Sequence, residues 1–460
     1  MNNFFRGSVN MPGVAWMPTE ALVGHGNQNA FNLLRNTQSS YWGWTPLTDQ
    51  SFETARPGSD NATGGVNDQG EQTSATYAVL RFGHEQGFLG RFDGNIGVRV
   101  VKTETDAKGL ALTVAPMQGG GTPAGCAAST TPGKDCAAFT AAYNFQNGGA
   151  TLPPANTSDS YTDVLPTLNL RFFLADDLQL RFAAGKAIYR PSFAQMVPYT
   201  SLGFNFTDNY VPNSEGWATG QGGNPHLRPT QSTQFDTSLE WYFAPAGSIT
   251  GAVFYKDIKD YIFIGNDTET YTASNGQTVE FLVSRNMNGS KGKVQGIEIA
   301  YQQFYDSLPG WLSGFGLQAN YTYVDSSGGK NTAVNILEPA QVDGAADQEL
   351  PLEGMSPNSY NLAVMYEKYG VSARLAYNWR EEYLLTTSAA NIQRPVWMED
   401  YGQLDASVFY SLTPNVKVGL QGTNLLNTRT FLDVGGTELH PRYSWTDTDR
   451  RIALAIRTTF

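Results

Sequence analysis

A strictly alternating stretch closes the chain: Arg450-Arg451-Ile452-Ala453-Leu454-Ala455-Ile456-Arg457-Thr458-Thr459-Phe460. Side chains of a β-strand point alternately to opposite faces, so Ile452, Leu454 and Ile456 share one face. The positions between them are small, polar or charged. An apolar outer face, a polar inner face and an aromatic last residue are typical of the closing strand of an outer-membrane barrel.

The composition agrees with a barrel and excludes a helical membrane protein. The chain has 460 residues, of which 40% are apolar, and its mean hydropathy is -0.34. No stretch approaches the roughly 18 apolar residues that a transmembrane helix needs. Glycine occurs 48 times and aromatic residues make up 12%, which suits tight turns and interfacial aromatic girdles. The net charge of -12 argues against nucleic acid as a partner.

The same alternation recurs along the chain. Residues 168–174 and 178–182 alternate and are joined by a short Ala175-Asp176-Asp177 turn, which predicts a β-hairpin. The sequence predicts an all-β fold with about 13 membrane strands, near residues 73–83, 92–105, 160–174, 178–188, 231–243, 248–258, 294–305, 314–324, 358–367, 371–385, 401–412, 416–426 and 449–460.

The connections alternate between short and long, as expected for short periplasmic turns and long outside loops. Residues 279–283 would extend an outside hairpin. An odd number of strands cannot close an antiparallel barrel, and open edges in lipid leave backbone groups unpaired. We therefore expect a partial transmembrane antiparallel β-barrel, in which residues 1–70 form an extracellular-loop-like segment and residues 71–460 the carboxy-terminal barrel portion. Residues 1–23 lack a secretory signal, so we expect that the natural protein begins further upstream.

The two cysteines, Cys126 and Cys136, lie ten residues apart in a polar stretch. An oxidising compartment favours a small disulfide between them. Two free thiols are the alternative.

Several motifs occur in an order that resembles the barrel of TonB-dependent outer-membrane receptors. They are Gly94-Asn95-Ile96-Gly97-Val98-Arg99, Tyr189-Arg190-Pro191, Gly223-Asn224-Pro225-His226-Leu227-Arg228-Pro229, Gly296-Ile297-Glu298, Asn424-Leu425-Leu426-Asn427 and the terminal Phe460. The resemblance covers about residues 70–460. The stretch from Gln302 to Tyr323 looks most like a large proteobacterial subfamily of Caulobacter- and Xanthomonas-like bacteria, several members of which are linked to carbohydrate uptake.

This resemblance implies a location and a set of partners. The location is the outer membrane of a Gram-negative bacterium, with membrane lipid around the barrel and a bulky nutrient as ligand. Receptors of this kind carry an amino-terminal plug that couples to TonB–ExbB–ExbD, and the resemblance places the plug and about nine of the 22 strands of a large transporter outside this sequence. It also implies that the barrel assembly machinery recognises the carboxy-terminal strand.

Residue chemistry gives these motifs mainly structural roles. Pro191, Pro225 and Pro229 lack a backbone donor and should lie at strand ends, while Gly94 and Gly97 thin the wall. Arg99, Arg171, Arg181 and Glu298 are expected to face the lumen. The alternative, for each residue, is that it only builds the wall.

No pattern predicts an enzyme, a metal site or a cofactor. His25, His84, His226 and His440 are scattered without metal-ligand spacing, and no Gly-x-Ser-x-Gly nucleophile motif occurs. The segment 314–319 fits a dinucleotide fingerprint by chance, because no helix is expected after it.

The nutrient is suggested only by aromatic residues in one long connection. Tyr199, Phe204, Tyr210 and Trp217 are the predicted substrate-binding residues. Flat aromatic faces beside amide and carboxylate groups suit a sugar. The neighbouring candidates are Asn205, Phe206, Asp208 and Asn209, with Trp16, Trp42 and Trp44 further upstream.

Other functions stay open. A ferric siderophore is the leading alternative to an oligosaccharide. A passive porin-like channel and a soluble β-sandwich binding module are two further classes. An upstream plug would separate the receptor from the porin, and solubility without detergent would favour the sandwich.

Overall fold

The computed structural model describes residues 67–87, 90–109, 113–114, 121–148, 155–206, 210–212, 217–328, 350–387, 395–435 and 441–459. These residues form two α-helices, α1 (Pro123–Ala128) and α2 (Cys136–Asn147), and one 3-10 helix (Gly310–Gly314). Their strands, in chain order, are β1 (Asn67–Gly87), β2 (Gly90–Gly109), β3 (Thr113–Val114), β4 (Ala155–Phe173), β5 (Leu178–Tyr189), β6 (Thr200–Phe204), β7 (Ala218–Gly222), β8 (Thr230–Ala244), β9 (Gly247–Thr272), β10 (Thr278–Phe304), β11 (Phe315–Ser327), β12 (Asn358–Lys368), β13 (Val371–Arg380), β14 (Tyr383–Thr386), β15 (Val396–Met398), β16 (Tyr401–Thr413), β17 (Val416–Thr423), β18 (Thr430–Val434), β19 (Arg442–Thr446) and β20 (Arg451–Thr458).

Thirteen of these strands are neighbours in one antiparallel sheet, which we call the wall. Their order is β1-β2-β4-β5-β8-β9-β10-β11-β12-β13-β16-β17-β20. The prediction of a 13-strand antiparallel sheet is therefore confirmed. Within the described residues β1 and β20 lie at opposite ends of the wall and do not pair with each other, so the sheet does not close.

The wall carries its apolar side chains on one exposed face. Register places Leu239 opposite Gly251 and Gly251 opposite Ile299, so the apolar row crosses from strand to strand. Leu239 and Trp241 are each 46% exposed and Leu454 is 76% exposed. A water-soluble sandwich would bury these side chains, so the exposed apolar face excludes that class. The opposite side of the wall is its polar face.

The strand predicted at residues 371–385 is present but ends earlier than expected. The alternation of residues 371–385 predicts a continuous strand, but β13 ends at Arg380 and β14 joins a separate four-stranded sheet, β14-β15-β18-β19. The last bond of this segment to the wall runs from the Glu381 backbone N–H to the Asn358 carbonyl on β12, and beyond it Tyr383 and Leu384 are buried outside the wall. Leu384 packs with Leu350 and Trp397.

The short turns and the long connections lie at opposite ends of the wall, and we call the latter the loop end. There β9 and β10, of 26 and 27 residues, continue beyond the apolar rows, and β10 begins at Thr278. The hairpin extension predicted from residues 279–283 is therefore present. The tips of β9 and β10 pack with α2, β6 and β7 around buried apolar side chains. We call this cluster the loop-end core.

Helices α1 and α2 lie in a connection that the sequence suggested to be irregular. Asp135 caps α2 by accepting hydrogen bonds from Ala137 N and Ala138 N, and Thr122 caps α1 in the same way from Gly125 N. A disulfide joins Cys126 to Cys136 and so connects the two helices. No helix in the described part of the chain is long and apolar enough to cross a membrane.

Candidate ligand-binding region

Charged residues on the polar face form ion pairs between neighbouring strands. Asp93 lies opposite Arg171 in register, and Arg171 Nη2 is 2.5 Å from Asp93 Oδ2. Arg181 Nε is 3.0 Å from Glu240 Oε1. These side chains are partly exposed, so each pair contributes little to stability, roughly 0–1 kcal/mol. Their role is to present a hydrophilic surface.

Amides continue this surface across the wall. Asn169 Nδ2 donates to Asn95 Oδ1 at 3.0 Å, and Asn361 Nδ2 donates to Asn320 Oδ1 at 2.7 Å. We call these cross-strand pairs the amide ladder. Their remaining donors and acceptors can bind a hydroxyl-rich or carbonyl-rich solute.

The motif glycines lie where backbones and side chains approach closely. A Cβ on Gly94 would stand 2.5 Å from the Asn169 carbonyl oxygen. A Cβ on Gly296 would collide with the Tyr323 carbonyl oxygen and the Phe254 ring. Gly97 has slightly more room, because the nearest atom to its Cβ would be Thr167 Oγ1 at 3.0 Å. All three glycines therefore pack the wall.

Two of the predicted lumen-facing residues lie on the polar face without belonging to the ion pairs above. Arg99 is exposed and stands opposite Tyr77 in register. Glu298 is exposed and stands between Ala252 and Thr322. Their placement is compatible with contact with a solute or with protein inside a barrel.

The segment around Arg190 is tied to the first strand of the wall. Arg190 Nη1 lies 2.9 Å from Glu71 Oε1, and Pro191 is buried directly after the end of β5. Arg190 therefore draws the beginning of the long connection across β2 and β4 toward β1.

The Gly223–Pro229 motif fastens the same connection to the β9–β10 hairpin. Asn224 Nδ2 donates to the Asn286 carbonyl at 3.0 Å, while Asn224 Oδ1 accepts from His226 N at 3.0 Å. Leu227 is 3% exposed. Pro225 lies in the turn that follows Asn224, and Pro229 immediately precedes β8, where its missing donor is harmless.

A charged cluster reinforces this attachment. Arg285 Nη2 lies 2.7 Å from Glu269 Oε2, and the Tyr271 hydroxyl donates to the same carboxylate oxygen at 2.5 Å. Arg285 Nη1 also donates to the Gly223 carbonyl at 3.4 Å. Burial and the bond to Glu269 raise the pKa of the Tyr271 hydroxyl. The cluster joins the connection between β5 and β8 to the hairpin tips.

The predicted substrate-binding aromatics meet, but mostly within packed protein. Phe204 is 7% exposed in the loop-end core, and Trp217 stacks on it with ring centroids 6.1 Å apart. Tyr210 packs edge-on against Phe139 at 4.7 Å. Tyr199 is half-buried, just before β6.

The neighbouring candidates divide between packed and undescribed residues. Phe206 lies between Phe139 and Trp217, with ring-centroid distances of 5.3 and 6.1 Å, and Asn205 Nδ2 donates to Thr219 Oγ1 at 2.7 Å. The remaining candidates lie outside the described residues; they are Trp16, Trp42, Trp44, Asp208 and Asn209.

The Asn424–Asn427 motif forms the turn through which the chain leaves the wall after β17. Asn424 and Asn427 have φ angles of 52° and 54°, in the left-handed region that asparagine tolerates. Asn424 is 3% exposed, and its Oδ1 accepts from Thr428 N at 2.8 Å. Leu425 N donates to the Leu404 carbonyl, which continues the pairing with β16. Phe460 lies outside the described residues.

One cationic site on the polar face is not among the residues predicted from sequence. Arg380 lies at the loop end of β13, with its guanidinium 4.7 Å from the Tyr383 ring centroid and 6.0 Å from that of Tyr401. Its Nη2 contacts Met398 Sδ at 2.7 Å. The alternation of Asn378 with Arg380 could have indicated this placement, whereas the ring contacts depend on the tertiary fold.

The histidines do not form a cluster within the described residues. His226 Nδ1 lies 2.8 Å from Asp159 Oδ2, and His84 is exposed near a short turn. His25 and His440 lie outside the described residues. Among the described side chains, no three His, Cys, Asp or Glu residues stand close enough to hold a metal ion.

Comparison with known proteins identifies the family. The family described as TonB dependent receptor-like, beta-barrel matches residues 3–425. A search of curated proteins found no match. The ferric yersiniabactin uptake receptor of Yersinia pestis is 14% identical, with a TM-score of 0.50, over 86% of this chain and 46% of the receptor.

The siderophore receptor PiuA of Acinetobacter baumannii is 13% identical, with a TM-score of 0.50, over 85% of this chain and 44% of that receptor. The chain thus spans less than half the length of either protein. At such identity the likeness concerns the fold, and the family match over most of the sequence carries the assignment. The chain belongs to the TonB-dependent receptor β-barrels, outer-membrane proteins of Gram-negative bacteria.

Proposed function

We propose that this chain forms part of the barrel wall of a receptor that imports a ferric siderophore across the outer membrane. TonB supplies the energy for this import. The observation that carries the receptor assignment is the family match over residues 3–425. Of the two similar receptors described above, one is named a ferric yersiniabactin uptake receptor and the other a siderophore receptor, which supports this ligand class over an oligosaccharide.

The use of aromatic side chains also supports a siderophore. A sugar platform needs open aromatic faces, but Phe204 is buried and Trp217 stacks against it. The aromatic cluster therefore contributes to packing, and little of its ring surface is left for a glycan.

Arg380 is the residue that we expect to meet an anionic iron chelate. It stands on the polar face, which would line the lumen, at the loop end, which would lie outside the cell. Its guanidinium lies between the rings of Tyr383 and Tyr401. A guanidinium pairs with oxyanions through charge-assisted hydrogen bonds and stacks on flat ring systems. An anionic chelate could displace the weak contact to Met398 and keep the phenol rings as neighbours.

Radioactive iron uptake tests this proposal in a strain that expresses the full-length receptor. With a panel of ferric siderophores, we expect uptake that depends on both the receptor and TonB. Arg380→Gln should reduce uptake about tenfold, because one charge-assisted contact is lost. Arg374→Gln is the matched control, since Arg374 also lies on the lumen face but at the short-turn end.

Two results would contradict the proposal. Receptor-dependent uptake that persists without TonB would support a passive channel. Unchanged iron uptake on deletion of the receptor, together with lost growth on an oligosaccharide, would overturn the ligand class.

An oligosaccharide remains the second candidate because the amide ladder suits a neutral, hydroxyl-rich ligand. In that case Tyr210 and Trp217 help to capture the glycan. If replacing both with Ala leaves glycan affinity unchanged while iron-chelate uptake falls, the sugar assignment is wrong.

A further inference from the structure

The lipid face of the wall contains an apolar groove near the short-turn end. Its volume is about 460 Å³, within the range of about 300–1,000 Å³ found for small-molecule sites. The groove lies over β8, β9 and β10 and reaches the turn before β5. Its principal lining residues are Asp177, Leu239, Trp241, Ile249, Gly251 and Ile299.

Gly251 opens the groove. It stands between Leu239 on β8 and Ile299 on β10, at a position where the other outward residues of β9 are larger. A Cβ at Gly251 would have no atom within 4 Å. The missing side chain therefore leaves a slot between two rows of branched apolar residues, and the slot faces the hydrocarbon.

Trp241 forms one side of this slot. Its Nε1 donates to Asp177 Oδ2 at 2.9 Å, and its ring lies 5.1 Å from the Phe243 ring. The Tyr242 backbone N–H donates to the Asp177 carbonyl at 2.7 Å. The turn and the indole hold each other in place, so the groove exists before any ligand arrives.

We propose that this groove binds one acyl chain of a lipid with an ammonium headgroup in the periplasmic leaflet. The face is in contact with lipid by virtue of the barrel fold, and short turns lie on the periplasmic side of such barrels. Asp177 lines the groove, and both it and Asp176, its neighbour in the same turn, are exposed. They attract an ammonium group and repel a purely anionic headgroup.

Native mass spectrometry of the receptor, released from bilayers with equal amounts of phosphatidylethanolamine and phosphatidylglycerol, tests the proposal. We expect one retained phosphatidylethanolamine in the wild type, preferred about fivefold over phosphatidylglycerol. Gly251→Leu should abolish this retention by filling the slot. Ala406→Leu adds the same side chain to the lipid face of β16, away from the groove, and should leave retention unchanged.

The headgroup is tested by Asp176→Asn combined with Asp177→Asn, which keeps an acceptor for Trp241 and removes both charges. We expect the acyl chain to be retained with the headgroup preference lost. Equal retention of phosphatidylethanolamine by the wild type and by Gly251→Leu would overturn the proposal, as would a receptor dimer that dissociates on this substitution.

If Gly251→Leu does not fold, quenching of Trp241 fluorescence by brominated acyl chains tests the same site in the wild-type receptor, and strong quenching is expected. Trp241→Phe defines the contribution of that residue, and quenching no stronger than that of the other tryptophans would also refute the site.

Discussion

The wall and the loop-end core sort the same residue types in opposite ways. On the wall, Leu454 is 76% exposed and Val253 is 53% exposed, while asparagine and arginine line the other face. In the loop-end core, Phe145 and Phe281 are fully buried, as in a water-soluble domain. Hydrocarbon surrounds the wall and water surrounds the loop-end core. Apolar side chains therefore point outward on the wall and inward in the core.

The border between the two regions can be located on β9. Its outward residues are Ile249, Gly251, Val253 and Tyr255, followed by Asp257 and Lys259. An aromatic residue followed by charges marks the interface between hydrocarbon and water. Beyond Lys259 the hairpin leads to the loop-end core, in which Phe281 is buried.

The largest expected effect is the removal of a buried ring from the loop-end core. Phe281→Ala should destabilise this region by about 3–5 kcal/mol, because a cavity forms among Phe145, Phe204 and Tyr271. Limited proteolysis of the folded receptor in detergent measures the change. Leu454→Ala is the control on the lipid face. An equal loss of protection in this variant would contradict the claim that apolar burial differs between the wall and the loop-end core.

A charge on the lipid face should have the next largest effect. Val253→Arg is expected to cost about 2–4 kcal/mol of folding free energy in bilayers, because it places a guanidinium in hydrocarbon. Ala252→Arg, one residue earlier, faces the lumen opposite Glu298 and should cost far less. Denaturant-dependent folding into lipid vesicles compares the two, and similar costs would contradict the assignment of faces.

Two glycines, one on each face of the wall, test how closely the two faces are packed. Gly296→Ala should cost about 1–3 kcal/mol, because the new methyl group collides with the Tyr323 carbonyl and the Phe254 ring. Gly251→Ala meets no neighbouring atom and should change stability by less than about 0.5 kcal/mol. The same vesicle assay serves, and a larger effect at Gly251 would show that its surroundings are tighter than the structure indicates.

The smallest effect is a pH dependence of the loop-end core. The pKa of Tyr271 is raised above its ordinary value of 10.0 by burial and by the bond to Glu269. The unfolded state therefore loses this proton first, so the stabilisation is complete below pH 10 and is lost as the pH rises through the folded-state pKa.

Tyr271→Phe should show a shallower loss of proteolytic protection between pH 9 and 11 than the wild type. Its protection at pH 8 should be slightly lower, since the hydrogen bond to Glu269 is missing. Identical slopes in the two proteins would mean that Tyr271 does not contribute to the alkaline loss.

The wall was predictable from sequence because its physics is local. A strand between lipid and water must alternate, and residues such as Leu239 and Trp241 report this directly. The break after Arg380 has one local signal, because Glu381 stands where the alternation requires an apolar outward residue, but the change of sheet depends on distant partners such as Leu350 and Trp397. The helices have local signals in their capping residues Thr122 and Asp135, but no helix was predicted there.

The ligand-binding region was harder to predict for a different reason. Phe204 and Trp217 pack against each other, but an aromatic residue that packs and one that binds a solute look alike in sequence. The difference depends on partners such as Phe145 and Phe281, which come from distant parts of the chain. Arg380 acquires its ring neighbours only when β14 and β16 assemble around it.

The register irregularity of β10 between Met287 and Gly292 gives the tall β9–β10 hairpin a weak point. Below it the ladder is continuous and flanked by neighbouring strands, while above it the hairpin extends about 33 Å, at roughly 3.3 Å per residue, and is held by the loop-end core. The Asn288 side chain spans this interruption, because its Nδ2 donates to the Arg228 and Asp260 carbonyls at 2.9 and 3.0 Å and its Oδ1 accepts from Arg228 N at 2.7 Å. A force applied at the outer tip, such as the drag of a tethered cargo, therefore loads these contacts before it reaches the ladder below them.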